Sequence, residues 1–185
     1  MLDSARDIIC RKGLISLKVR DVADAASCSI GSVYNEFGDF DGLILTINRE
    51  TVTRLTEQLR SIRSADPRAD LIGFAVGYLN FAVGNTNLLR SLFEHRMEGG
   101  RPFPDDILDM VMEAFALMYA PLSKVLPDRD PDQLALIART MFSAVHGIIS
   151  LGLEDRMVAV PQDKLKEQLV QFVEAQLVGL GASAV

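Results

Sequence analysis

Hydrogen-bonding side chains without charge are concentrated in one short stretch, which contains Ser29, Ser32, Tyr34 and Asn35. Their hydroxyl and amide groups can both donate and accept hydrogen bonds. If the stretch forms a helix, Val33 turns inward and the polar groups stay exposed near the helix N-terminus. Free N–H groups at a helix start attract phosphate, and short polar side chains match the base edges of the DNA major groove. The chemistry indicated is hydrogen bonding to DNA rather than bond cleavage.

The residues just before this stretch would position it. Val19 and Val22 mark a short amphipathic helix, and the small residues 26–28 allow a tight turn. Ser29 can cap a second helix, and Gly31 has no side chain to hold the backbone away from a phosphate. Residues 19–37 are therefore predicted to form a helix-turn-helix whose second helix lies in the major groove.

Apolar residues recur at spacings of three and four along almost the whole chain, a pattern that predicts an all-α fold. Three short helices fill residues 1–46, and Gly13 and Gly38 are expected to end the first and the third. A fourth, longer helix runs from Leu43 to Ile62, and more apolar helices follow at about 67–83, 87–97, 104–120, 131–154 and 162–180. We predict a three-helix DNA-binding domain at 1–46 and a larger helical domain for effector binding and dimerisation at 47–185.

Composition narrows the class of protein. The 185 residues are 49% hydrophobic and 24% charged, which is typical of a soluble globular protein. A net charge of -6 argues against nonspecific coating of nucleic acid, which depends on Lys and Arg. Because the two cysteines lie outside any cluster of His or Cys, neither a metal nor a cofactor is expected. Apolar stretches are interrupted before about 20 residues and the N-terminus is charged, so we expect no transmembrane helix and a cytoplasmic protein.

Two alternatives to DNA binding are an enzyme and a helical binding module. An enzyme could use His95 or His146 with nearby carboxylates, but the sequence assembles no nucleophile, oxyanion hole or metal site, so we expect no catalytic residues. A histidine on an apolar helix is more often a core or interface residue. The other alternative is a helical dimerisation and ligand-binding module that has lost DNA binding. It is favoured by residues 1–50, which carry two more acidic than basic side chains, and by the absence of Lys and Arg from residues 21–48.

Residues 1–43 resemble the DNA-binding domain of the TetR/AcrR family of transcriptional regulators. The matching residues are Lys12-Gly13, Val19 to Ala23, Ser29 to Phe37, Asp39 and Leu43. The resemblance implies that Tyr34 contacts a DNA phosphate and that Ser29, Ser32 and Asn35 face the operator. The full set of expected DNA-binding residues is Lys18, Arg20, Ser29, Ile30, Gly31, Ser32, Tyr34 and Asn35. This sequence departs from the family at Ile30 and Phe40, which are often Lys, and at Glu36, which is often His.

The segment from Phe142 to Gly147 is similar to the Trp-x-x-x-His-Gly segment of one TetR subgroup, with Phe142 in place of Trp. In TetR-like proteins the last two helices pair with their copies, which agrees with the apolar excess at 131–154 and 162–180. The expected homodimer interface contains Phe142, Val145, Ile149, Leu169, Phe172 and Val173. A small apolar effector is expected among Phe74, Tyr78, Phe93, Met97, Met112, Phe115, Met141 and His146. The expected function is a ligand-released repressor that binds a palindromic operator as a homodimer.

Overall fold

A computed structural model describes residues 1–154 and 159–181, and all regular secondary structure in these ranges is helical. The prediction of an all-α fold is therefore confirmed. The α-helices are α1 (Leu2–Lys12), α2 (Val19–Ala25), α3 (Ile30–Phe37), α4 (Phe40–Arg60), α5 (Pro67–Gly84), α6 (Thr86–Glu94), α7 (Asp105–Ala116), α8 (Tyr119–Val125), α9 (Pro131–Gly152) and α10 (Leu165–Gly179). Short 3-10 turns lie at Leu14–Ser16, Glu98–Gly100 and Gln162–Lys164.

Local signals in the sequence set several of the helix ends. Gly13 and Gly38, with φ angles of 78° and 80°, follow α1 and α3 in a backbone conformation that favours glycine. Asp130 caps α9 by accepting a hydrogen bond from the backbone N–H of Gln133, and Pro131 occupies the first turn. These helix ends agree with the sequence-based boundaries, because the residues that cause them are visible in the sequence.

The single helix predicted at 104–120 is wrong, because α7 ends at Ala116 and a separate helix α8 begins at Tyr119. Pro121 gives the physical reason. It has no backbone N–H, and in a continuous helix its ring would clash with the carbonyl group of residue 117. In the first turn of α8 the missing N–H costs nothing. The helix predicted at 87–97 also ends early, at Glu94.

The chain divides into two compact units. Unit 1 comprises Met1–Arg54 and Gly84–Met110, and unit 2 comprises Leu55–Val83 and Val111–Val185. The predicted DNA-binding domain at 1–46 lies inside unit 1, but unit 1 also contains α6 and the segment after it. The division of function at residue 46 stays a prediction.

Unit 1 is built around the helix-turn-helix, and α6 completes its core. The core residues are Ala5, Ile9, Leu17, Val22, Ala23, Val33, Leu43, Ile44, Ile47 and Leu88. Leu88 belongs to α6 and is 1% exposed, and the neighbouring Asn87 donates a side-chain hydrogen bond of 2.9 Å to the carbonyl oxygen of Cys10 in α1. Because α6 closes the core around α1, the positions of α2 and α3 depend on residues distant in sequence.

Unit 2 packs α9 and α10 together through one buried face of each helix. The buried residues of α9 are Leu134, Ala138, Met141, Val145, Ile149 and Gly152. The buried residues of α10 are Leu165, Leu169, Val173 and Leu177. Their spacing of three and four residues is the spacing of a single helix face.

α9 has 22 residues, and an 18-residue window within it has a mean hydropathy of 1.6. By length and composition it is long and apolar enough to cross a membrane, although core helices of soluble proteins meet the same criterion. Polar residues such as Arg139 and His146 interrupt the apolar stretch in the sequence, whereas the mean hydropathy of the window averages over them. Because 28% of the window is buried, α9 also has an uncovered apolar surface.

Candidate nucleic-acid interface and aromatic cluster

A tight turn joins α2 to α3, as the sequence predicts for a helix-turn-helix. Ser27 adopts a φ of 52°, which is uncommon for a residue with a side chain. The backbone N–H of Cys28 donates to the carbonyl oxygen of Ala23 at 2.9 Å and closes the turn. Because of this turn, α3 begins at Ile30, and only the four residues 26–29 separate it from α2.

Two of the predicted DNA contacts, Ser29 and Ser32, stabilise the start of α3. The Oγ atom of Ser29 accepts a hydrogen bond of 3.0 Å from the backbone N–H of Ser32, and the two Oγ atoms lie 2.9 Å apart. Ser29 is therefore an N-cap, and Ser32 is half-buried beside it. The two hydroxyl groups order the start of the helix, and their contact with DNA stays a prediction.

The outward side of α3 carries the remaining predicted contacts on that helix. Tyr34 is 43% exposed and Ile30 is 40% exposed, one helical turn apart on the same side. Gly31 and Asn35 form a second exposed pair with the same spacing, whereas Val33 is buried in the core. The helix thus presents a phenol, an amide and an alkyl group beside Gly31, where an added Cβ would lie 3.6 Å from the Ser29 Oγ atom.

Two basic residues lie at the start of α2, the first helix of the helix-turn-helix. Lys18 and Arg20 are both exposed. Lys18 occupies the N-cap position of α2 and makes no side-chain capping hydrogen bond, because a lysine side chain has no acceptor for the free N–H groups of the helix start. Glu36, on α3, is also exposed and adds a negative charge to the surface.

A network that the sequence analysis missed lies where α3 meets α4. The Arg101 Nη2 atom lies 2.6 Å from Asp41 Oδ2 and 3.0 Å from Asp39 Oδ2. His95 Nε2 lies 3.2 Å from Asp41 Oδ1, and the backbone N–H of Glu98 donates to Asp41 Oδ2 at 2.9 Å. Arg101 and Asp41 are 60 residues apart in the sequence, so no local pattern could have indicated the network.

Unit 2 contains an aromatic cluster of Tyr78, Phe115, Phe142 and His146. The ring of Phe142 packs edge-on against Tyr78 and Phe115, with centroid distances of 5.3 and 5.1 Å, and stacks on His146 at 5.8 Å. A 2.8 Å hydrogen bond joins Tyr78 Oη to His146 Nδ1. The structure therefore brings together three of the predicted effector-site residues and adds Phe142, which was predicted for the dimer interface.

Burial keeps the polar pair of this cluster neutral. It raises the pKa of the Tyr78 phenol and lowers the pKa of His146, so the uncharged form of each group is favoured near pH 7. The cluster is an apolar environment with a single hydrogen-bonded polar pair. Such a composition is typical of sites for small apolar molecules.

The other predicted effector-site residues divide between the two units. Phe74 and Met141 are buried in unit 2, and Met112 is 38% exposed there, with its sulfur 3.8 Å from Arg139 Nη2. Phe93 and Met97 belong to unit 1, so their assignment to the effector site stays a prediction. They lie in unit 1 because α6 packs on α1 and its C-terminal end and the residues that follow stay with that unit.

The expected interface residues differ in exposure within the protomer, and their assignment to an interface stays a prediction. Four of them are buried with at most 5% exposure, as expected for residues just beneath an interface: Val145, Ile149, Leu169 and Val173. Phe142 and Phe172 are half-buried. Periodicity placed these residues on one apolar face of each helix but could not show that this face is covered by the chain itself.

The uncovered side of α9 lies opposite its buried face. It carries Leu136, Thr140, Ala144, Gly147 and Leu151, of which Leu136 is 66% exposed and Leu151 is 52% exposed. None of these five residues is charged. We call these residues the outer stripe of α9. The exposed side of α10 differs, because it carries Glu167, Gln171 and Glu174 and becomes apolar only near Val178.

The two histidines should make the folded protein less stable in mild acid. Burial lowers the pKa of His95 and of His146, although neighbouring Asp41 raises that of His95 in part. The folded protein therefore binds these protons more weakly than the unfolded chain, in which the pKa is about 6.5. Stability is fully present above about pH 6.5 and falls as the pH drops below it.

We expect the unfolding free energy from urea titrations to decrease between about pH 7 and pH 5. In a His146→Gln variant this decrease should be smaller than in the wild type, since one of the two groups no longer titrates. Hydrogen bonds from Gly42 and Arg101 lower the pKa of Asp39. The stability that such a carboxylate contributes is therefore lost only at lower pH. An equal decrease in both proteins would contradict the assignment for His146.

Comparison with known proteins shows the family and the fold. Residues 71–175, more than half of the chain, match the family described as tetracyclin repressor-like, C-terminal domain. No curated protein matches. A protein of unknown function from Rhodococcus sp. RHA1 is similar in structure, with 20% identity over 95% of this chain and 92% of that chain and a TM-score of 0.76.

Two named regulators are also similar in structure. The TetR family transcriptional regulator PfmR from Thermus thermophilus has 17% identity over 96% of both chains and a TM-score of 0.69. A TetR-family regulator from Streptomyces coelicolor has 20% identity over 97% of this chain and 81% of that chain and a TM-score of 0.70. At these identities the similar structures support only the fold. The assignment to a family rests on the match of residues 71–175 to the family model. The chain therefore belongs to the tetracycline repressor-like, or TetR/AcrR, family of helix-turn-helix transcriptional regulators.

Proposed function

We propose that this regulator is a repressor that binds a palindromic operator as a homodimer and is released by a small apolar molecule. The observation that carries the proposal is the outward side of α3, where Tyr34 and Asn35 are exposed on a helix capped by Ser29. A helix of this kind fits the major groove, with the amide able to form paired hydrogen bonds with adenine and the phenol able to reach a phosphate. Lys18 and Arg20 add phosphate contacts.

Dimerisation is proposed through the outer stripe of α9. Its exposed leucines and small residues leave an uncharged surface along one helix, and a second copy of the same stripe would cover it symmetrically. Small residues such as Ala144 and Gly147 allow two helices to approach closely. The half-buried Phe172 would lie at the margin of this interface, and the residues buried beneath α9 would support it.

The aromatic cluster is the proposed effector site. Its rings offer apolar contact area, and the neutral Tyr78–His146 pair offers one hydrogen-bonding anchor. An uncharged, mostly apolar molecule matches this chemistry better than an ion, because the site provides no compensating charge. A ligand that releases the operator must bind less tightly when operator DNA is present, so ligand affinity measured with and without DNA tests this step.

The alternative, a dimerisation and ligand-binding module without DNA binding, is favoured by the acidic residues near α3. Glu36 and Asp39 both lie within a few residues of the predicted contacts. The two functions differ in one measurable property, which is sequence-dependent DNA binding at low salt. We propose a cytoplasmic, non-enzymatic protein without a cofactor in either case.

Two substitutions on α3 test the proposal. Tyr34→Phe should weaken binding to every DNA sequence alike, because a phosphate contact carries no base information. Asn35→Ala should weaken operator binding by about 1–3 kcal/mol and relax the preference at one base position. Fluorescence anisotropy with the operator and with single-base variants measures both effects.

Exposed Thr53 on α4, changed to Ala, serves as a control for a surface substitution away from α3. It should leave the affinity within about twofold. A sequence-selective loss in the Tyr34 variant would reverse the two roles. Wild-type protein that shows no sequence preference at low salt would support the alternative.

A further inference from the structure

The junction between α3 and α4 holds two carboxylates. The Asp39 Oδ1 atom accepts a 2.7 Å hydrogen bond from the backbone N–H of Gly42, which caps the start of α4. Asp41 lies in the first turn of α4 and is 6% exposed. Both groups favour the helix start through its dipole. They also place two negative charges next to a helix that must approach DNA phosphates.

The segment after α6 surrounds these carboxylates. Arg101 contacts both of them, the backbone N–H of Glu98 donates to Asp41, and His95 lies beside Asp41 on its other oxygen. Gly99 and Gly100, with φ of 66° and 71°, make the turn that brings Arg101 back to the junction. We call residues 95–101 the junction clamp.

Arg101 is the residue of the junction clamp whose positive charge offsets the carboxylates. Burial lowers the pKa of His95, so the imidazole is mostly uncharged near pH 7. Arg101 instead has its pKa raised by hydrogen bonds to Asp39 and Asp41, and it lowers the pKa of Asp39 in return. Its guanidinium therefore offsets one of the two negative charges, and residues 21–48 contain no Lys or Arg that could do so.

We propose that Arg101 is a positioning residue for DNA recognition, which fixes the end of the recognition helix α3 and offsets carboxylate charge at the DNA-binding surface. The inference rests on the proposed function, because it assumes that α3 reads DNA. According to this proposal, the segment between α6 and α7 contributes to operator affinity, although it lies far from the helix-turn-helix in the sequence. Arg101 acts through Asp39 and Asp41 and need not contact DNA itself.

The experiment compares operator affinity in Arg101→Gln, Arg101→Lys and wild-type protein across a range of salt concentrations. Arg101→Gln should lower the affinity by about tenfold at low salt, within the usual range for coupling between a positioning group and a bound ligand. The loss should shrink as salt increases, because added ions screen the uncompensated carboxylates. Arg101→Lys keeps the charge and should recover part of the affinity.

A triple variant separates charge from folding. Arg101→Gln combined with Asp39→Asn and Asp41→Asn removes the carboxylates together with the cation, while Asn at position 39 can still cap α4. At low salt this variant should bind at least as tightly as the wild type to within about threefold, because it leaves no negative charge for Arg101 to offset. A loss as large as that of Arg101→Gln would contradict the charge argument. Melting temperatures confirm that each variant is folded at the assay temperature.

Arg96→Gln is the matched control, since Arg96 lies in the same clamp but donates to the carbonyl oxygens of Phe93 and His95. Its effect should be no more than about twofold. The proposal is overturned if folded Arg101→Gln binds the operator as wild type does, or if Arg96→Gln causes an equal loss. A wild-type protein that binds no operator would instead refute the proposed function.

Discussion

Gly147→Arg is expected to convert the proposed homodimer into monomers. Operator affinity should fall by about a hundredfold or more, because a monomer binds one half-site without the avidity of two. Gly147 lies in the outer stripe of α9, and a Cβ added there meets no atom within 4 Å inside the protomer. The first atom of the new side chain therefore meets no neighbour among the described residues, and replacing a helical glycine favours the helix itself. Its effect should appear only where a second copy packs.

Sedimentation velocity at micromolar concentration measures the oligomeric state, and anisotropy measures operator affinity. Ala120→Arg adds the same charge at an exposed position of α8, outside the stripe, and should remain dimeric. A dimeric Gly147→Arg protein with unchanged operator affinity would show that the outer stripe of α9 is not the interface.

Leu169→Ala is expected to lower the free energy of unfolding by about 2–5 kcal/mol, the usual cost of removing a buried leucine side chain from a packed core. Leu169 is 0% exposed on the inner side of α10, facing the packing with α9. The size of the loss depends on how far the surrounding side chains can collapse into the cavity. Chemical denaturation at a fixed protomer concentration measures it, because dimer stability varies with concentration.

Val178→Ala provides the comparison on the same helix. Val178 is 66% exposed, so the change should cost no more than about 0.5 kcal/mol. If Leu169→Ala instead dissociated the dimer and left protomer stability unchanged, the sequence-based assignment of Leu169 to the interface would be correct and the core assignment wrong.

The sequence predicted those features that depend on neighbouring residues. Glycines at positions 13 and 38, the cap at Ser29 and the first-turn prolines of α5 and α9 act within a few residues, so the helices and the helix-turn-helix follow from local pattern. Pro121 carried the same kind of signal, and the split between α7 and α8 could have been predicted from it.

The features that could not be predicted depend on contacts between distant residues. Leu88 packs into the core of unit 1, and Arg101 reaches Asp41, only because the chain folds back on itself. The faces of α9 present a different difficulty. Both faces are apolar or uncharged, so periodicity alone cannot distinguish the face covered by the chain from the face left open.

The most direct test of the central claim is selection of genomic DNA fragments by the purified protein, followed by footprinting of the enriched site. The account predicts enrichment of an imperfect palindrome, with protected half-sites about 34–36 Å apart or at a multiple of that distance. The same site should lose its protection when Asn35→Ala replaces the wild-type protein at equal concentration. No enrichment at low salt, or protection of a single unsymmetrical half-site, would contradict the account.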